Sequence, residues 1–313
     1  MAHRDVDPVA LLALAHYGLD GLGGRGAALA PHEGAARTGS SAYRVELPDG
    51  APAVLRVSAP GAQRRAEVYS ELAWMRAVGR AGVARTPHVL PTTCGASVAT
   101  VVEPGTRAVP TPGTRTGTVR HAVLFEHLPN VSASTAPPGP GDLGALAAAL
   151  HAHADGWARP HGFVRRPAAP RPVPPAARGS RAALLTAGYA AVVDRLARAG
   201  RRRAHGLVHG ALGPAAVAAT GVDGLLAVDG FEGCLEADPL GEVAPAVAGA
   251  RTWLELESAC GEWAEGYASV RSLDAADAAA LPAHALSAAL GGPVTDELCA
   301  IVEGFLTAHG RAA

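Results

Sequence analysis

Leu207-Val208-His209-Gly210-Ala211-Leu212-Gly213-Pro214-Ala215-Ala216-Val217, together with Val228-Asp229-Gly230-Phe231-Glu232, decides how the rest of the 313-residue chain is read. Aliphatic runs alternate with glycine and proline, the pattern of short strands joined by tight turns. The order is strand, sharp turn, short strand, acidic turn. Its only polar side chains are His209, Asp229 and Glu232, which makes them the first candidates for chemistry.

Size and composition narrow the classes around that stretch. A single hydrophobic core seldom grows past about 250 to 300 residues, so a chain of this length predicts two lobes or domains. The formal net charge is -1 and charged residues make up 18%. No basic field is therefore available to hold nucleic acid or an anionic membrane surface. Apolar runs fall short of the roughly 18 residues a membrane span needs, and Met1-Ala2-His3-Arg4-Asp5 begins no signal peptide, so a cytoplasmic protein is expected. Cys94, Cys234, Cys260 and Cys299 have no paired spacing and are expected to be free, mostly buried thiols. The chain has no lysine, one asparagine (Asn130) and one glutamine (Gln63). No lysine nucleophile or phosphate-loop lysine is possible.

Along the chain, Leu11, Leu12, Leu14, Ala15 and Tyr17 predict a leading helix within 8–20. Ser40 to Leu47 and Ala53 to Val57 alternate about Pro48-Asp49-Gly50, a β-hairpin signal. Val68, Leu72, Met75 and Val78 predict a helix over 62–80. Short strands are expected over 89–92 and 99–102, and His121 to Pro129, which contains Glu126, reads as a strand leading to a crossing between lobes. Ser132 to Gly141 is a linker by composition, and Arg165 to Arg178 is proline-rich, a surface loop or a lip over a cleft. Helices are predicted over 143–153, 184–199, 242–266, 273–290 and 295–309.

This order of elements resembles, over nearly the whole chain, the aminoglycoside phosphotransferase family of small-molecule kinases. Ser70-Glu71-Leu72-Ala73-Trp74, Leu143 to His153, Gly156 to Pro167 and Asp238-Pro239-Leu240-Gly241-Glu242-Val243-Ala244 are similar to family motifs. The resemblance implies an α+β, two-lobed, protein-kinase-like fold. Residues 1–130 would form the N-terminal lobe, with a β-sheet and one long helix, and 131–313 a mainly helical C-terminal lobe. In the family the catalytic loop reads His-Gly-Asp-Leu-His-Pro-Gly-Asn-Val, the Asp acting as base and the Asn as a magnesium ligand. Laid on this chain, the Asp falls on Ala211 and the Asn on Ala216, while the metal-loop Asp is kept as Asp229. The basic residue that touches nucleotide phosphates falls on Arg56, its helix partner on Glu71, and the adenine-binding crossing at Glu126.

The functional expectation follows from what is kept and what is missing. A lost general base typically costs on the order of 10²- to 10⁴-fold in rate, and a missing ligand weakens the metal that bridges the phosphates. His209, Asp229 and Glu232 are the residues left for any chemistry in the cleft, and Arg56, Glu71 and Glu126 those left to contact a cofactor. His205 and His209 have the i, i+4 spacing of a zinc pair, but no third ligand lies near, so no metal site is expected. No cofactor is expected either, ATP and magnesium only if kinase activity remains. The leading expectation is a kinase-like protein that has lost phosphoryl transfer. Its cleft would hold a peptide, a small-molecule natural-product intermediate or a partner enzyme, as in modified-peptide biosynthesis. The alternatives are an enzyme of a non-kinase step, elimination or cyclisation, in the same cleft, and a weakly active phosphotransferase.

Overall fold

Asp49 and Gly50 close the hairpin in the computed structural model. The Asp49 carboxylate accepts from Ala51 N–H at 2.9 Å, and Gly50 takes φ +82°, a conformation that favours a residue without Cβ. The structure describes residues 7–19, 30–31, 40–104, 117–128, 137–164, 180–199, 205–219 and 224–310. The proline-rich 165–178 segment, Gly39, Asn130 and Arg201 to Arg203 lie outside them.

The elements follow an α+β order. Helix α1 (Pro8–Ala15) precedes strands β1 (Ala30–Pro31), β2 (Ser41–Glu46) and β3 (Pro52–Val57), then helix α2 (Arg65–Arg80) and strands β4 (Val89–Leu90), β5 (Ala99–Pro104) and β6 (Gly117–Glu126). Helices α3 (Pro140–Gly156) and α4 (Ser180–Ala199) lead to short strands β7 (Gly206–Val208), β8 (Val217–Ala219), β9 (Leu226–Val228) and β10 (Leu235–Ala237). Helices α5 (Val243–Ala246), α6 (Trp253–Ala268), α7 (Ala275–Ala278), α8 (Leu281–Ala289) and α9 (Asp296–His309) complete the described chain. Two expected helices are thus each split in two. Thr252 caps α6, its hydroxyl accepting from Glu255 N–H while Glu255 reaches back to the cap, which starts a helix where sequence periodicity ran straight through. Leu281-Pro282 opens α8 without a side-chain cap, proline fitting only the first turn.

The main sheet is antiparallel. Strand β3 lies between β2 and β6, and the far edge of β6 pairs with β5 along its first half and with β4 near its end. Side chains alternate across β3. Ala53, Leu55 and Val57 join Val9, Leu14 and Leu124 in a small core under α1, so Arg56 faces the other way, toward α2. The larger core does not stop at residue 130: Val68, Leu72, Trp74 and Met75 of α2 share it with Leu143, Trp263 and Phe305 of the later helices. Past α2 the chain is tied to β9, Arg85 N–H donating to Leu226 O at 2.9 Å and Val228 N–H to Arg85 O at 2.8 Å. Among the described residues no helix is long and apolar enough to cross a membrane. All four cysteines are free, but only Cys260 is buried, and Cys94 is exposed because it sits in the turn after β4.

Helices α3 and α6 approach so closely that glycine is needed at the crossing. A Cβ on Gly144 would lie 2.1 Å from Trp263 O, and one on Gly266 1.9 Å from Gly141 O, backbone atoms that cannot swing aside. Gly144→Ala should therefore destabilise the chain by about 3 kcal/mol in urea unfolding. Gly261→Ala, on the same α6 but with nothing within 4 Å of its Cβ, should be neutral or slightly stabilising. Equal effects from the two changes would show that the crossing yields.

Candidate functional site

The hydrophobic pattern of α2 buries Glu71 along with Val68, Leu72 and Met75, and this carries its carboxylate to Arg56 on β3. Arg56 Nη1 lies 2.6 Å from Glu71 Oε1 and 3.0 Å from Glu232 Oε2, with all three side chains almost fully buried. The guanidinium also lies over the Phe125 ring, 5.3 Å from its centroid. Burial works against the positive charge, but Glu71 and then Glu232 outweigh it and hold the Arg56 pKa above the ordinary arginine value. Burial pushes the Glu71 carboxyl up, with Arg56 opposing the shift. One guanidinium thus serves two buried carboxylates, one from α2 and one from the loop after β9.

The loop after β7 turns at Gly210, where φ is +80° and a Cβ would meet Gly233 O at 2.4 Å. Only glycine fits both demands. Strand pairing of Val208 with Leu235 and of Val217 with Val228 draws the two loops together, and Asp229 N–H donates to Ala216 O at 2.9 Å. Behind them His209 is fully buried, its Nε2 3.0 Å from Asp229 O, so that nitrogen carries the proton and donates. Burial lowers the His209 pKa and keeps the ring neutral. Its ring also packs on the edge of Phe231, with centroids 4.8 Å apart. Buried in this way, the imidazole ties the loop after β7 to the acidic loop through Asp229 O.

Glu242 anchors the same loop from below. Its Oε1 accepts from Gly210 N–H, its Oε2 lies 3.4 Å from His151 Nε2, and His151 Nδ1 is 3.1 Å from the Tyr267 hydroxyl. Burial raises the Glu242 pKa, but the bonds from His151 and Gly210 outweigh it and hold the carboxyl below the usual range. The remaining predicted residues are placed as follows. Asp229 is exposed, its Oδ1 accepting from Gly230 N–H at 2.7 Å. Glu126 is exposed at the end of β6, its N–H already donating to His88 O at 2.9 Å. His205 is exposed at the start of β7. The geometry thus brings together Arg56, Glu71 and Glu232, sets Asp229 beside Ala216, and leaves Glu126 on the strand end.

The model of the phosphotransferase enzyme family matches residues 34–284. The chain belongs to that family. Among solved structures, the microcompartment-associated aminopropanol kinase is similar over 97% of this chain and 98% of its own, with a TM-score of 0.78 and 24% identity. Amicoumacin kinase, solved with AMP-PNP and Ca2+, is similar over 93% of each chain, at TM-score 0.59 and 14% identity. Spectinomycin phosphotransferase, solved with AMP, covers 88% of this chain and 84% of its own, at TM-score 0.51 and 10% identity. These likenesses establish a shared phosphotransferase fold. No curated protein sequence is similar enough to this chain to match.

A phosphotransferase cleft implies a nucleotide and a divalent ion, and the residues present fit that pair poorly. Magnesium is usually held by one or two carboxylates together with phosphate oxygens. Asp229 is the exposed carboxylate of the loop, whereas Glu232 is 3% exposed and turned to Arg56. Among the described residues no group of three His, Cys, Asp or Glu side chains is placed to hold a metal. The residue that would meet phosphates, Arg56, is already engaged by two carboxylates. Sequence reading assigns no role to Gln63, which the structure buries beside Glu71 with Nε2 3.3 Å from Glu71 Oε2. Its being the chain's one glutamine was the only signal available.

Proposed function

We propose that this member of the phosphotransferase family holds a ligand in its cleft without transferring phosphate. The client is a peptide or small-molecule natural-product intermediate, or a partner enzyme. The observation that carries this reading is the acidic loop itself: Asp229 is its exposed carboxylate and lies beside Ala216, while Glu232 is buried with Glu71 on Arg56 Nη1. Ala211 and Ala216, methyl groups at the positions where the family resemblance puts a base and a metal ligand, support it. With His209 buried, Asp229 is the exposed acid or base left for the alternative, a non-kinase reaction in the cleft.

A retained kinase is favoured by two facts. The Arg56–Glu71 pair is intact, and the fold follows an aminopropanol kinase over nearly its whole length. Thermal melts with ATP, with and without magnesium, separate the readings. A ligand at 100 times its Kd stabilises the folded state by about 2.7 kcal/mol, a shift of several degrees in a chain of this size. We expect no magnesium-dependent shift. A clear one, with ATP consumption abolished in Asp229→Ala, would establish the kinase reading instead.

A further inference from the structure

Two exposed helix faces outside the cleft carry charge that the fold does not neutralise. Helix α2 buries Val68, Leu72, Met75 and Val78 and turns Arg65, Tyr69, Ala73, Arg76 and Arg80 outward, a stripe at helical spacing along about 22 Å of axis. The Arg65 guanidinium lies over the Tyr69 ring, 5.4 Å from its centroid, and Arg76 Nη2 donates to Ser97 Oγ at 2.7 Å. None of the three arginines forms an ion pair among the described residues, and Glu67, at the same end of the helix, accepts from Arg64 N–H at 2.7 Å. Burial lowers the Arg76 pKa, and Arg80 lowers it further. An apolar ledge adjoins the stripe. Val119 lies on the same side of β6 as Phe125, the side toward α2, and pairs with Val102 of β5; the two valines are 47% and 53% exposed. Burial and then the charge of Arg65 lower the His121 pKa, which sets that end of α2 beside this stretch of β6.

Helix α6 has the opposite chemistry. It buries Leu256, Cys260, Trp263 and Tyr267 and turns Leu254, Glu257, Glu262 and Glu265 outward. Leu254 is 74% exposed, more than any other large apolar side chain of the described residues, and the three carboxylates form no ion pair among those residues. Glu262 and Glu265, three apart, repel each other, as do Arg76 and Arg80, four apart, so each face gains when the opposite charge covers it. The spacing matches as well. The same eleven-residue step separates Leu254 from Glu265 and Arg65 from Arg76, so a Leu254 seated beside Arg65 brings Glu262 and Glu265 to Arg76 and Arg80. We propose that two copies of this chain associate with α2 of each against α6 of the other, Leu254 resting on the valine ledge and the carboxylates among the arginines. One helix pair of this length buries less than the about 800 Å² per partner of a stable complex, and a two-fold axis applies the contact twice. The dimer is weak and held largely by charge. The partner's α6 then backs the helix whose inner side carries Glu71, and the association does not depend on what the cleft does.

Sedimentation equilibrium on the full chain is the test. At about 0.05 M salt the mean mass should rise with chain concentration from 31.4 kDa toward twice that value, and at about 0.5 M salt it should return to that of one chain. Reversing either face alone, by Arg65→Glu with Arg80→Glu or by Glu262→Arg with Glu265→Arg, should weaken association at least tenfold. Arg76, which holds Ser97, is left in place. An equimolar mixture of the two reversed chains should associate again, because one then carries two acidic faces and the other two basic ones. That recovery also shows that both variants are folded. A mass of 31.4 kDa at every concentration in low salt, a dimer untouched by either reversal, or a mixture that stays monomeric would overturn the proposal. Binding of an acidic peptide by a chain that stays monomeric would overturn it too, and would give α2 an outside partner.

Discussion

Arg56→Met should cost about 3–5 kcal/mol of folding stability, measured by urea unfolding at neutral pH. The loss does not come from the pair being worth that much. Removing the guanidinium leaves Glu71 and Glu232, respectively 1% and 3% exposed, without the cation they share. Two buried carboxylates in that position repel one another and lose the charge that offsets their burial. The rescue is equally specific. Adding Glu71→Leu and Glu232→Leu to Arg56→Met should recover most of the loss, since an apolar trio of similar volume removes the desolvation cost along with the charges. A loss below about 1 kcal/mol for the single change would mean that the trio is solvated and behaves like a surface pair.

Glu242→Ala is the second large effect expected, also about 3–5 kcal/mol. It deprives Gly210 N–H of its buried acceptor, removes the carboxylate that lies 3.4 Å from His151 Nε2 and leaves a void beneath the loop that carries His209. The pH dependence identifies the cause. The Glu242 carboxyl is held below its ordinary value of 4.5 in the fold, so its stabilisation is present above 4.5 and is lost as pH falls through the folded pKa. The gap between the native chain and Glu242→Ala should therefore narrow below pH 4.5. A gap independent of pH would assign the effect to lost packing alone.

The family and the architecture were legible because they rest on local signals. The Asp-Gly turn, the α2 periodicity and the paired glycine loops each follow from residues near in sequence. Glu71 was legible as a partner for Arg56 only through the resemblance, since nothing in a helical heptad tells a buried glutamate from a solvated one. Glu232 was placed with Asp229 as a candidate for chemistry, and its bond to Arg56 spans 176 residues, a separation no spacing rule reaches. His209 is a candidate for chemistry by residue type and a holder of the loop by family resemblance, and what buries it, Phe231 and Glu242, arrives from later elements. The split of the late helices was hidden for a simpler reason. Apolar periodicity continues through Thr252 and Leu281, and only the cap and the proline mark the breaks.

The link from Arg85 to Leu226 and Val228 restricts how this molecule can open. In protein kinases the position of the helix that supplies the ion-pair glutamate controls whether the site is assembled. Here the chain leaving α2 is stitched to the strand that leads into Asp229, and Trp74 packs edge-on against Phe231, with centroids 5.4 Å apart. Helix and acidic loop are therefore joined directly, and Arg56, on a β3 that is itself paired with β6, fastens the main sheet to both.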